Sequence, residues 1–320
     1  MPRAKSAIMT EPRHIVPGTA VMVTTRCVQR QFKLTPSQKV NDLFEYLLAY
    51  TSTKYGVGLL GVDVQSNHAH LVLVDHEGLL PDMLQEMNML LARGLNHVRG
   101  ESGTFFDRNN VDIKKLKDDG AIFTALAYTA ANPVAAGCVE RGADWPGIRS
   151  VPKDMGRPGR EVRRPEWLFL NRFGEYVGEL PETATLTYEL PPGFLPEHRG
   201  QVVHVAETGV HLAEEFARRK NARKGIKYLG RARCWNADTN LRGTKKEPHG
   251  PRSGPGRVMA SDPETKYLAE LEHQAYLDAY SEALGAWQQG DHAVIFPFGT
   301  WKVVRHHAAV LGLPPPDFRR

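Results

Sequence analysis

The sequence predicts an α+β fold, an antiparallel sheet with helices, followed by a basic C-terminal accessory region. Three observations lead there. The first half runs strand, helix, strand, strand, helix, loop, helix, an order that suits an antiparallel sheet with helices on one face. Two apolar runs at 57–64 and 69–74 are separated by Gln-Ser-Asn, short enough for a tight turn between paired strands. Charge is also uneven. The 320-residue chain carries 41 Lys+Arg against 36 Asp+Glu, a net of +5, while 217–257 alone holds 13 basic residues against Asp238 and Glu247, a net of +11.

Each element has a local reason. Residues 1–14 read as a tail. Thr19–Arg26, TAVMVTTR, is rich in β-branched residues and reads as a strand. After Pro36, Ser37 is a candidate N-cap, and Val40, Leu43, Phe44, Leu47 and Leu48 share one face of a helix ending near Gly56. Leu80-Pro81-Asp82 opens a second helix, with Met83, Met87, Leu90, Leu91 and Leu95 at helical spacing. Residues 99–119 read as irregular with one short strand, and 121–131 as a third helix stopped by Asn132-Pro133.

Two domains are expected, 1–150 and 151–320. Residues 151–164 read as a linker, 263–289 as a helix, and 293–304 as strand, Pro/Gly turn, strand. Three widely spaced cysteines, Cys27, Cys138 and Cys234, make neither a disulfide scaffold nor a zinc knuckle and read as small packing residues. The start has no apolar stretch of a secretory signal, and no run of 18 apolar residues occurs. The expectation is a soluble cytoplasmic protein without membrane contact.

The chemistry concentrates in the first half. His68 and His70 are two apart, so on a strand both imidazoles face one side while Ala69 faces the core. Such a pair suits a divalent metal and equally suits two exposed surface histidines. Tyr128 and Asn132 are four apart, on one helical face. They fit either a nucleophile with a metal-binding amide or a core tyrosine with an Asn C-cap.

In combination these motifs resemble the single-tyrosine HUH transposases, and among them the REP-associated tyrosine transposases. Members of that group read MSNHxHL, then YxxxNPVxAGLV and WPGxRS. This chain has QSNHAHL at 65–71, YTAANPVAAGCV at 128–139 and WPGIRS at 145–150. Gly18, Thr24, Arg26 and Arg30 match the start of the pattern. The clear resemblance covers 14–150, and a weaker one reaches FPFGTW at 296–301.

The resemblance implies a ferredoxin-like sheet, the HUH nuclease fold, with both histidines on a central strand. It implies Mg²⁺ or Mn²⁺ held by His68, His70 and Asn132, and Tyr128 as the nucleophile that forms a 5′-phosphotyrosine link to single-stranded DNA beside a REP-like hairpin or element end. A nucleoid-associated monomer or homodimer follows. The alternative within the same fold is a domesticated, non-catalytic hairpin-binding protein. Candidate phosphate contacts are Arg26 and Arg30, and in the basic segment Arg218, Arg219, Lys220, Arg223, Lys224 and Lys227, with Tyr228 and Trp235 as stacking aromatics. A solvated basic linker is the other reading of that segment. Two positions depart from the pattern: Gln65 replaces a methionine, and Asp63 stands where an apolar residue is common. Asp63 reads as an edge or solvent-facing carboxylate, with a supplementary acid near the metal as the alternative.

Overall fold

Thr19–Arg26 forms β1, and its six central residues are buried because the strand lies inside a sheet covered on both faces. This is a computed structural model, and it describes residues 12–107, 111–243 and 257–315. The Ser37 hydroxyl accepts from the Val40 N–H (3.3 Å) and starts α1, Gln38–Tyr55, which Gly56 ends in the left-handed region at φ 60°. The chain returns as β2, Val57–Gln65, turns at Ser66-Asn67, and continues as β3, His68–Asp75. Asp75 Oδ1 then accepts from the N–H groups of Leu79 (2.9 Å) and Leu80 (3.2 Å). It thereby partners first-turn donors of α2, Leu80–Arg99. The short strand expected in 99–119 is β4, Asp112–Leu116.

The sheet order is β2-β3-β1-β4, antiparallel throughout, with the two-residue β7, Val258–Met259, added parallel to β4. This β-α-β-β-α-β arrangement is ferredoxin-like. α1 packs on α2 and β2. α3, Asp119–Ala135, packs on β2 and β3, where the space beside Gly61 is filled by the Leu126 side chain. Helices thus cover both faces rather than one, as nine consecutive buried residues in β2 require.

Pro133 does not stop α3. It sits in the last turn, where its missing N–H costs only the bond to the Thr129 carbonyl. Arg149 Nε donates to the Ala130 carbonyl (2.8 Å) and Asn221 Nδ2 to that of Val134 (2.8 Å). Gly137 at φ 75° closes the helix, with Cys138 N–H bonded to the Pro133 carbonyl (3.0 Å) and Gly137 N–H to that of Val134 (3.0 Å). The cap therefore lies beyond Asn132.

The stretch 151–164 is not an exposed linker. Met155 and Val162 are buried in the main core with Leu168, Leu186 and Tyr188. β5, Arg160–Arg163, and β6, Thr183–Leu186, make an antiparallel ribbon against α1. The outer edge of β2 is covered: Val64 N–H bonds to the Ile148 carbonyl (2.9 Å) and Glu189 N–H to that of Leu59 (2.7 Å). α4, Arg199–Arg223, lies along α3 and buries Val202 and Ala206 in the same core.

Beyond α5, Arg231–Trp235, the long helix expected at 263–289 is α6, Pro263–Gln288. β8, Ile295–Phe296, is followed not by a strand but by α7, Lys302–His307, and then by β9, Val310–Leu311. Val303 is buried in a small core with Ala283, Phe296 and Ala309, and this packing overrides the β-branched preference of Val303-Val304. Of the expected tail, His14 pairs with Thr300 and stacks on Tyr276 at 4.0 Å.

Asn221 is 3% exposed, so Asn221→Ala leaves the Val134 carbonyl without its side-chain donor in a dry contact. The carbonyl keeps the Gly137 N–H, so we expect a loss of about 0.5–1.5 kcal/mol, that of one hydrogen bond, in urea denaturation.

Candidate active site

The site is built by strand register. Thr24 lies opposite His70 and Arg26 opposite His68, while on the other side of β3 Asp63 faces His70 and Gln65 faces His68. Directly paired residues share a face of the sheet, so these six side chains project to the side covered by α3. Asp112 of β4, opposite Thr24, joins them. The imidazole rings of His68 and His70 meet edge to face at 4.7 Å, and the Tyr128 ring stands 5.4 Å from His70 at 80°. The sequence-predicted imidazoles and tyrosine are thus brought together.

Each imidazole has one nitrogen tied down. His68 Nδ1 donates to Asn67 Oδ1 (2.7 Å), because an amide oxygen only accepts, so the neutral ring carries its lone pair on Nε2. His70 Nδ1 is 2.9 Å from Thr24 Oγ1, and His70 Nε2 is buried without a hydrogen-bond partner. Burial, then Arg26 and Arg30, push His68 down to about 3. Burial, then His68, Arg26 and Lys114, hold His70 well below the usual imidazole range. Both rings are neutral at pH 7, the protonation state of an imidazole ligand.

Tyr128 is 50% exposed on a helix whose residues are mostly buried. Burial raises its pKa, Arg26 opposes that, and Asp63 and Asp112 add to it. Asn132, one turn on, is 8% exposed. Among the described residues no three His, Cys, Asp or Glu side chains gather as a metal-holding group.

Asp63 lies on β2, the edge strand of the sheet, as expected, but it does not face solvent; it is 0% exposed. Burial pushes its carboxyl up to about 8, against the lowering by Gln65 and Arg149, so it is largely protonated at neutral pH. Gln65 Nε2 donates to Asp63 Oδ2 (2.7 Å), while Asp63 Oδ1 is buried without a partner. The polar amide at position 65 is thus explained by its buried carboxyl neighbour. Cys138 Sγ lies 3.8 Å from Gln65 Oε1, and Cys234 Sγ lies 3.5 Å from the Cys138 carbonyl. Two of the three cysteines therefore adjoin behind the site.

Arg26 and Arg30 bear directly on the imidazoles. Gln29 and Arg30 have φ of 51° and 56°, a left-handed pair unusual outside glycine. The loop is held by Asn67 Nδ2, which donates to the Arg30 carbonyl (3.3 Å), and by the Gly243 N–H, which donates to the same carbonyl (3.0 Å). Arg242, from the basic segment, pairs with Gln31 beside the site. The rest of that segment, 244–256, lies outside the described residues.

The other predicted cations sit at the end of α4 and just after it. Arg218 pairs with Glu214 (3.3 Å) and Arg219 with Glu215 (2.5 Å), which reduces their net positive field. Lys220, Arg223, Lys224 and Lys227 are exposed. Tyr228 is half-buried, and Trp235 is 37% exposed. Sequence reasoning missed Thr24 and Asn67 as imidazole partners. Asn67 carried a signal in its place next to His68, whereas Thr24 is matched to His70 only by pairing.

The Asp63 carboxyl titrates near 8 when folded and near 3.8 when free. The folded state therefore holds the extra proton between those values, and stability falls as pH rises through that window. Asp63→Asn should flatten the profile between about pH 5 and 8 in urea titrations, removing a slope of up to about 1.4 kcal/mol per pH unit.

No helix among the described residues is long and apolar enough to cross a membrane. No protein-family model matches the chain, and no curated protein does. Among solved structures, it is similar to a REP-associated tyrosine transposase bound to a REP hairpin, with 14% identity and a TM-score of 0.39 over 46% of this chain and 85% of that one. It is also similar to a candidate transposase from Deinococcus radiodurans, with 16% identity and a TM-score of 0.25 over 33% of this chain and 84% of the other.

Proposed function

We propose that this chain is a metal-dependent single-stranded DNA endonuclease and strand transferase, a transposase of the single-tyrosine type. The observation that carries the proposal is a half-exposed Tyr128 whose ring meets His70, one of two adjoining neutral imidazoles and the one with a buried, unpartnered Nε2.

The donor set fits a divalent cation. Both Nδ1 atoms are engaged by Thr24 and Asn67, which is how ligating imidazoles are commonly oriented. His68, His70 and the amide oxygen of Asn132 would hold Mg²⁺ or Mn²⁺. Two imidazoles and one amide oxygen would leave coordination positions open for phosphate oxygens, unlike the closed four-ligand shell of a structural zinc. The bound ion supplies polarisation of the phosphodiester oxygens.

The chain's own residues do the rest. The Tyr128 oxygen forms a bond to phosphorus as the bond from phosphorus to the 3′ oxygen breaks, leaving a 5′-phosphotyrosine and a free 3′-hydroxyl. The guanidinium of Arg26 favours the ionised tyrosine that attack requires. Attack by a 3′-hydroxyl on the phosphotyrosine reverses the step and rejoins a strand, so no nucleotide triphosphate is consumed. Arg26 and Arg30 would receive phosphates at the site, and Lys220, Arg223, Lys224 and Lys227 would do so farther along the strand. Arg218 and Arg219 contribute less because each has an acidic partner. In this reading 1–150 carries the chemistry and 151–320 supplies accessory contacts. The substrate is a strand beside a REP-like hairpin or element end, in the cytoplasm at the nucleoid, and the protein acts as a monomer or homodimer.

A denaturing gel tests this with purified protein and labelled single strands from the DNA flanking its own gene. Wild type should give a covalent adduct with Mg²⁺ or Mn²⁺ and none with EDTA. Tyr128→Phe should lower the yield by ~10³-fold or more while native-gel hairpin binding persists. An adduct formed by Tyr128→Phe would overturn the nucleophile, and full activity of His68→Ala would overturn the metal pair. Hairpin binding without an adduct on any strand would favour the domesticated binder.

A further inference from the structure

A second set of nucleic-acid-type side chains lies away from the imidazoles. The sequence RRPEWLFLNRFGEYV at 163–177 interleaves arginines with aromatics. The structure turns this into three cation–ring contacts. Arg93 of α2 lies 4.8 Å from the Phe169 ring, Arg172 lies 4.7 Å from Phe173, and Arg164 lies 3.5 Å from Tyr176. Phe173 is 72% exposed at the tip of this hairpin. The tip is rigidly built. Asn171 Oδ1 accepts from the N–H groups of Phe173 (2.8 Å) and Glu175 (3.0 Å), and Val177 N–H donates to the Phe169 carbonyl (2.8 Å). Phe169 is held at φ 52°, a strained value for a bulky residue. Water-exposed phenylalanine fixed on such a frame gains nothing for folding.

Beside the hairpin runs a groove of about 610 Å³, lined by Arg93, Asn96, His97, Glu101, Phe169 and Leu170 among others. Of the acids here, Glu101 in the groove wall is paired with Lys33 (2.7 Å), and Glu175 accepts from Asn171 Nδ2 (3.0 Å). Hydrogen bonds tie the neighbouring end of α2 to the loops around the imidazoles. Arg99 of α2 donates to the Lys33 carbonyl (2.7 Å), Leu34 N–H bonds to Ser66 in the turn before His68, and Arg30 of the intervening loop bears on His68.

We propose that the 169–177 hairpin and this groove bind unpaired nucleotides of single-stranded DNA, with a base stacked on Phe173 and phosphates on Arg172 and Arg93. Exposed aromatics flanked by arginines match a strand that offers a flat base and a charge at each step. This rests on the reading of the chain as a single-strand DNA enzyme and names a contact beyond its catalytic face.

The test uses full-length protein and a fluorescein-labelled oligothymidine of about 20 nucleotides, which forms no hairpin. Phe173→Ala should weaken binding about tenfold, in line with the loss of one stacked base, with an unchanged melting temperature. Arg172→Gln should reduce the slope of log affinity against log salt by about 0.7. Phe173→Trp should keep the affinity, and its emission should be quenched by the oligonucleotide. Wild-type affinity and salt slope in Phe173→Ala and Arg172→Gln, with no quenching in Phe173→Trp, would overturn the proposal. The adduct assay run in parallel separates the two readings. An adduct with Phe173-independent binding removes only this contact, whereas Phe173-dependent binding without any adduct removes the transferase and leaves the contact standing.

Discussion

Burial of His70 is the constraint on which this end of the molecule depends. One ring nitrogen is held by Thr24 and the other is left dry and unpartnered beneath Tyr128. An unsatisfied buried nitrogen costs stability, so it persists where the surrounding frame enforces it. That frame is β3, paired on one side with β1 and on the other with β2, with α3 across the face. A slip of one residue in either ladder would turn both imidazoles into the opposite layer.

The same frame explains the polar residues around the ring pair. Asp63 occupies the position opposite His70 on β2 and is fully dry, so it is held largely neutral with Gln65 on one oxygen. A carboxyl and an amide are tolerable side by side in a core where the amide donates to the carboxyl, although Asp63 Oδ1 keeps no partner here. The C-terminal half takes part in this arrangement. α4 lies along α3 and supplies a donor to its last carbonyls, and residues 241–243 brace the Arg30 loop. The region after residue 150 is therefore structurally joined to the site.

Much of this was legible along the chain. Ser37 and Gly56 mark the ends of α1 by their capping chemistry, and the first three strands follow apolar runs of the expected length. The His-x-His and Tyr-x-x-x-Asn spacings placed each pair on one face, since strand and helix periods are local properties. What failed did so for identifiable reasons. Pro133 was expected to end α3, but in the last turn it removes only the bond to the Thr129 carbonyl, while the Ala130 and Val134 carbonyls accept from Arg149 and Asn221, 19 and 87 residues away. Val303-Val304 favours a strand in isolation and became helical because Val303 fills a small core. Asp63 looked solvent-facing because a lone aspartate usually is, and nothing nearby in the chain announces that α3 and the 148–150 segment cover it.

Backbone periodicity, caps and turns are settled by neighbours within about four residues, so the elements and the side on which each functional residue emerges were readable directly from the order of amino acids. The environment of those residues was not. Tyr128 meeting His70, Thr24 holding its ring, the neutral state of Asp63 and the adjoining of Cys138 with Cys234 each join positions far apart in the chain. Such contacts, and the loss of water that shifts the protonation of these groups, arise only once the strands have paired and the helices have closed over both faces.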